Sequence, residues 1–218
     1  NGLTIKYVTE THIHADYLSG AHELACATQA QILLSAEGGK EWTYDFSHQP
    51  LKNQQTITLG NVQIQVLHTP GHTPESLTFL VRDLKQPQNP IKAITGDFIF
   101  VGDVGRPDLL EKAVGQKGSQ FEGAHQLFAS LNQFKLLPKN TEIWPGHGAG
   151  SFCGKSLSTI PQSTLEQEMA TSPAFQYLHD KEAFTQYILD GQPEPPKYFA
   201  LMKQWNKSLR PLQIALPK

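Results

Sequence analysis

The chain has 218 residues, 39% of them hydrophobic, enough to build a real core. Its 18 basic and 20 acidic residues leave a formal charge of −2 with no Lys/Arg stripe, which argues against a nucleic-acid partner. No apolar run approaches the roughly 18 residues of a membrane span. No signal-peptide pattern opens the chain, and two distant cysteines, Cys26 and Cys153, make no disulfide framework, so a reducing cytoplasm is expected.

Residues 3–9, LTIKYVT, are apolar and β-branched and predict a strand running toward His12. Residues 19–30 follow with helical spacing of Leu18, Ala21, Leu24 and Ala25, which places Cys26 in the core. Short strands are expected at 31–36, 56–59, 62–69, 76–83 and 91–97, with Gly60-Asn61 as a hairpin turn. Ala124, Leu127, Phe128, Leu131 and Phe134 line a helix ending before Pro138, and residues 141–147 form a strand that stops at Pro145-Gly146. Phe184, Tyr187 and Ile188 mark another helix. Residues 190–196 are a proline-rich joint. Tyr198, Leu201, Met202 and Trp205 mark a last, core-packing helix. Strands alternating with helices imply α and β layers in one domain spanning residues 1–218.

Four segments share one design, an apolar strand followed by a polar residue in a tight Gly/Pro turn. They are ETHIHAD (10–16), HTPGHTPES (68–76), TGDFIFVGDVGRPD (95–108) and WPGHGAGSFCGKS (144–156). They present His12, His14, His72, Asp97 and His147 at strand ends, where folds commonly carry function. One such histidine is ordinarily a surface residue. Four such segments together point to a metal site. His22, His125 and His179 read as helix-surface residues and His48 as a loop residue. His68 is expected to hydrogen-bond near the site without binding metal.

These strings resemble the metallo-β-lactamase superfamily, and in their longer form its persulfide dioxygenase branch, the form often fused to rhodanese domains. The resemblance runs from about Leu3 to about Lys203. It implies an α/β fold, the αβ/βα sandwich with metal at one edge. The H-x-H-x-D motif begins at residue 12, so the chain is expected to lack part of the N-terminal sheet, either as a fragment or truncated form or with a second copy in a homo-oligomer covering the exposed edge. No rhodanese domain is expected within these 218 residues.

The resemblance also frames Tyr17. Two-metal hydrolases of the superfamily carry a histidine there, and a neutral phenol is a poor substitute ligand, so a second metal is expected to bind weakly. The branch's iron ligands carry over to His12, His72 and Asp97, two imidazoles and one carboxylate as in non-haem Fe(II) oxygenases. His14 is a candidate fourth ligand. The implied cofactor is one Fe(II) per chain, with zinc as the alternative or as-purified metal. The implied reaction takes a low-molecular-weight persulfide such as glutathione persulfide, and O2, to sulfite and free thiol.

His14, Asp16, His147 and Arg106 are the candidate catalytic residues, the first three orienting ligands and moving protons. Arg106, Lys155, Cys153 and Tyr17 are candidate substrate contacts. Arg106 either binds a substrate carboxylate or pairs with Asp108. Lys155 attracts an acidic thiol or is a surface lysine. Cys153 accepts sulfane sulfur or is a small buried residue. Two rival functions remain open: a zinc-dependent glyoxalase-II-like thioester hydrolase, and a truncated, inactive metal-binding domain.

Overall fold

The computed structural model describes residues 2–114 and 118–212. The chain runs β1 (Tyr7–Thr9), α1 (Ala21–Thr28), β2 (Gln31–Ser35), β3 (Gln49–Leu51), β4 (Thr56–Leu59), β5 (Val62–His68), β6 (Leu77–Asp83) and β7 (Lys92–Gly96). It continues through α2 (Leu109–Val114), α3 (Ser119–Phe134), β8 (Glu142–Pro145), β9 (Ser163–Thr164), α4 (Leu165–Thr171), α5 (Pro173–Gln176), α6 (Lys181–Leu189) and α7 (Phe199–Lys207).

Two sheets result. The smaller is parallel, in the order β1-β2-β3. Parallel neighbours need a crossover, and α1 supplies the one between β1 and β2. The larger has the order β4-β5-β6-β7-β8-β9. β4 and β5 close on the two-residue turn Gly60-Asn61, as the sequence predicts. β6 is antiparallel to both β5 and β7, and β7 is parallel to β8, so β5, β7 and β8 all point the same way. Their ends therefore share one sheet edge, and three of the four motif segments begin there.

Alternation along the strands builds the sandwich. Leu77 and Phe79 of β6 and Val66 of β5 meet Leu33 and Leu51 of the small sheet in one apolar layer. Leu80 and Leu67 point to the other face, where Leu127, Leu131 and Phe134 of α3 and Phe184 and Ile188 of α6 cover the large sheet. Leu34 faces outward from the small sheet onto Ile13, Trp42 and Tyr44. This is the expected αβ/βα arrangement. Among the described residues no helix is long and apolar enough to cross a membrane.

Several local expectations are corrected. The first strand covers only Tyr7–Thr9, with Leu3 and Ile5 exposed. Helix α1 is two turns long and buries only Ala25, so Cys26, one residue further round, is exposed rather than core. Helix α7 buries Phe199 and Asn206, while Tyr198, Leu201 and Trp205 stay largely exposed. His179 lies in a turn after α5 rather than on a helix.

Candidate metal centre

Three side chains from three turns converge. His12 follows β1, His72 follows β5 and Asp97 follows β7 directly, and all three are buried. Their candidate ligand atoms lie within 4.8 Å of one another. Asp97 Oδ2 is 3.5 Å from His72 Nε2 and 3.8 Å from His12 Nε2. Donors bound to one ion at about 2.1 Å stand about 3.0–3.5 Å apart, so this spacing suits shared ligands better than hydrogen bonds.

Backbone freedom lets the turns meet. Gly96 has φ +53°, and a Cβ there would run into the Thr11 side chain beside His12. Gly71 has φ +147°, and a Cβ would fall 2.6 Å from Cα of Leu127, so its absence lets α3 press against the loop that carries His72.

The imidazoles are preset. His72 Nδ1 lies 2.9 Å from the Arg106 carbonyl oxygen. A carbonyl only accepts, so Nδ1 keeps the proton and Nε2 turns its lone pair toward Asp97. His12 Nδ1 lies 3.0 Å from the Thr11 hydroxyl, which is able to accept in the same way. Burial holds both imidazoles below their usual pKa, the neutral state a metal ligand needs. Burial works against the charge on Asp97, yet His12, His147 and His72 around it hold its carboxyl well below the usual range. Both Asp97 carboxylate oxygens are buried without a hydrogen-bond partner among the described residues. An ionised carboxylate so placed is costly unless a cation completes it, so the residues present fit a bound metal ion.

His14 packs on His12, ring centroids 4.2 Å apart, but is not among the three whose ligand atoms converge. Its Nε2 is 3.0 Å from Glu10 and 2.9 Å from the Tyr17 hydroxyl, while Nδ1 faces Asp16 Oδ1 at 3.7 Å and has no hydrogen-bond partner among the described residues. Burial lowers its pKa, but the Asp16 and Glu10 carboxylates outweigh this and raise it to about 9. Tyr17 is 45% exposed, its ring tilted against that of His14 with centroids 4.4 Å apart. It lies in the loop before α1 rather than on the helix, and its hydroxyl is committed to His14.

Asp16 and His147 flank the more open side. His147 Nε2 is 3.1 Å from Asp16 Oδ2 and 3.4 Å from Asp97 Oδ2. Cys153 is buried, and burial pushes its thiol up to about 11. It belongs with Asp16 and His147 to a second group whose ligand atoms also lie within 4.8 Å of one another.

Two candidate substrate contacts are placed elsewhere. Arg106 is wholly enclosed (0% exposed) and forks onto both Asp108 oxygens at 2.7 Å, with Nη1 on the Phe152 carbonyl at 3.1 Å. Its backbone N–H also bonds the Cys153 carbonyl. The structural Arg–Asp pair is the arrangement found: Arg106 fastens the glycine-rich loop and orients His72, and its guanidinium does not face a substrate. Lys155 Nζ donates to the Tyr187 and Asp190 carbonyls and sits 3.8 Å over the Tyr187 ring, so it ties its loop to the end of α6. His68 Nε2 bonds the Pro74 carbonyl and stays outside both groups.

Two supports have no sequence signal. Glu75 is fully buried, and its Oε1 accepts the N–H of Ile13, between His12 and His14, at 2.7 Å. Asn206 of α7 donates to the carbonyls of His14 and Tyr17 at 2.8 and 2.7 Å and accepts from the N–H of Ser19. The loop carrying His14 is thus held by a residue 192 positions away.

Comparison with known proteins follows the same lines. The description of the metallo-beta-lactamase superfamily matches residues 1–147. A metallo-beta-lactamase from Staphylococcus aureus subsp. aureus COL is 45% identical, with TM-score 0.89, covering 97% of this chain and 62% of that one. ETHE1 from Myxococcus xanthus is 25% identical, with TM-score 0.72, covering 94% of this chain and 78% of that one. A hydroxyacylglutathione hydrolase from Prochlorococcus marinus is 28% identical over 148 residues, 67% of this chain and 53% of the relative. The chain spans about half the length of the curated relatives it matches.

Proposed function

The chain belongs to the metallo-beta-lactamase superfamily, and from that premise we propose that it is a non-haem iron persulfide dioxygenase. One observation carries the reading: two preset imidazoles and one carboxylate with unpartnered oxygens stand at shared-ligand spacing, while Tyr17 turns its phenol to His14. Likeness to ETHE1 over 94% of the chain supports the same branch. In this reading His12, His72 and Asp97 hold Fe(II). When bound, that ion supplies the redox chemistry that lets dioxygen react with a sulfur anion, which zinc lacks.

The overall reaction balances as persulfide, O2 and water giving thiol and sulfite with its protons. The chain's residues hold and move those protons. Asp16 and His147 border the open side of the trio as an acid–base pair, and His14 keeps Asp16 in place through its charge. Arg106 and Glu75 position the metal-binding turns, and the buried side of the trio excludes water.

The relatives named hydroxyacylglutathione hydrolase supply the second reading, zinc-dependent thioester hydrolysis. One experiment separates the two. Protein purified without oxygen is assayed for metal content, for O2 uptake on glutathione persulfide and for hydrolysis of an acylglutathione thioester. Iron near one per chain with persulfide-dependent uptake supports the proposal. Full zinc occupancy with thioester hydrolysis and no uptake ends it.

A further inference from the structure

We propose that Lys203 of α7 is a positioning residue for the metal centre, acting through Glu75 on the backbone between His12 and His14. Helix α7 turns one face inward, and Phe199, Lys203 and Asn206 stand on it at i, i+4 and i+7. Phe199 and Asn206 are buried and Lys203 is half-buried. Asn206 holds the carbonyls of His14 and Tyr17. Lys203 Nζ lies 3.6 Å from the centre of the Trp42 ring. Trp42 and Glu75 meet at Gly38, where an added Cβ would fall 2.9 Å from the Cβ of each. The residue that carries the ammonium group on its ring is thus a wall of the enclosure around Glu75.

That enclosure needs a cation. Glu75 is fully buried; its Oε1 accepts the Ile13 N–H at 2.7 Å, and its Oε2 has no hydrogen-bond partner among the described residues. A bond of 2.7 Å has charge-assisted length, which the ionised carboxylate supplies. An enclosed carboxylate is costly without a cation nearby, and an ammonium group drawn out of water is costly without an anion or an aromatic face. Each group answers the other's need. Burial raises the Glu75 carboxyl to about 7 and Lys203 works against that rise; burial lowers the Lys203 ammonium to about 8 and Glu75 works against that fall. Lys203 therefore keeps Glu75 a charged acceptor for Ile13. Helix α7 clamps both metal-binding turns, residues 10–16 through Asn206 and residues 68–76 through Lys203 and Glu75. The inference rests on the His12–His72–Asp97 trio holding an ion, not on the reaction that ion serves.

The test loads the full, metal-stripped chain with one equivalent of Co(II) without oxygen, and reads its affinity by chelator competition and its ligand-field spectrum. Lys203→Met keeps a stem over Trp42 and removes the charge; it is expected to weaken Co(II) binding about tenfold and to alter the spectrum. Lys203→Arg, which keeps a cation able to stack on Trp42, is expected to stay within about threefold of the parent and to keep its spectrum. In a Glu75→Gln background Lys203→Met is expected to change affinity by less than about threefold, because the charge it acts on is gone. Lys207→Met controls for a loosened α7: it removes the bond from Lys207 Nζ to the Glu41 carbonyl and should leave affinity and spectrum unchanged. Where Lys203→Met does not fold, Lys203→Gln repeats each comparison. The proposal is overturned by parental affinity in Lys203→Met, by the same loss in Lys203→Arg or Lys207→Met, or by an equal loss in the Glu75→Gln background. A parent that binds no Co(II) overturns it together with the metal site. No outcome depends on turnover, so failure of the dioxygenase reading leaves the comparisons standing.

Discussion

The two groups of polar side chains lie side by side, Asp97 of one 3.4 Å from His147 of the other, and differ in how they are held. In the inner trio both imidazoles have an anchor. The Arg106 carbonyl fixes His72, Thr11 faces His12, and Glu75 grips the backbone between the two histidines of the first motif. In the outer group Asp16 and His147 are partly exposed and face each other across charge rather than through fixed hydrogen bonds. The inner site is therefore preorganised and the outer group is held more loosely. Metal affinity should follow preorganisation, because ordering costs are already met in the fold.

The largest expected effect breaks the inner anchor. Arg106→Ala leaves Asp108 buried beside Lys112 alone and frees the Phe152 carbonyl. Loss of one partner from an enclosed pair costs about 3–5 kcal/mol, which urea unfolding of the metal-free protein will read. Inner-site metal affinity should fall with it. A variant within 1 kcal/mol of the parent, by that same measure, would show the anchor to be decorative.

Asp97→Asn tests the shared member. Removing a ligand should lower inner-site affinity by more than the roughly hundredfold that losing an orienting partner costs. Competition against a chelator measures it. A loss of less than about tenfold would contradict its place as a ligand.

Glu75 sharpens the comparison through pH. Burial raises its carboxyl to about 7, against which the bonds from the Ile13 N–H and the Thr73 side chain act only in part. The folded chain thus holds this proton more tightly than the unfolded chain, whose glutamate titrates near the ordinary value of 4.5. The contribution is fully present below about pH 4.5 and is lost as pH rises through about 7, a span of about 3 kcal/mol. Glu75→Gln keeps an acceptor for Ile13 and should flatten that segment of the stability–pH curve. A parent curve already flat between pH 4.5 and 7.5 would contradict the assignment.

Tyr17→Phe is the smallest change. It removes one hydrogen bond to His14 from a half-exposed phenol, an expected loss below about 1 kcal/mol. Inner-site affinity, measured by the same chelator competition, should stay within about threefold. A larger drop would mean the outer side braces the inner one.

What sequence made legible was local. Alternation in VQIQVLH and SLTFLV gives β5 and β6 their two faces, and the four turn motifs deliver His12, His72 and Asp97 to one edge because short-range chemistry terminates each strand. What stayed hidden was long-range. Asn206 reaches His14 and Tyr17 from the far end of the chain, and neither spacing nor composition marks it. Arg106 was ambiguous because pairing with Asp108 and facing a substrate need the same residue; only enclosure separates them. Cys26 looked apolar by period, but α1 is too short for a second buried position. Cys153 gains meaning only once the glycine-rich loop folds back onto His147.

The most direct measurement is anomalous scattering at the iron edge from crystals of anaerobically loaded protein. The account predicts one strong peak about 2.0–2.2 Å from His12 Nε2, His72 Nε2 and Asp97 Oδ2. A loaded crystal with no peak within bonding reach of those three atoms, or with the iron held by Asp16, His147 and Cys153 instead, would contradict it.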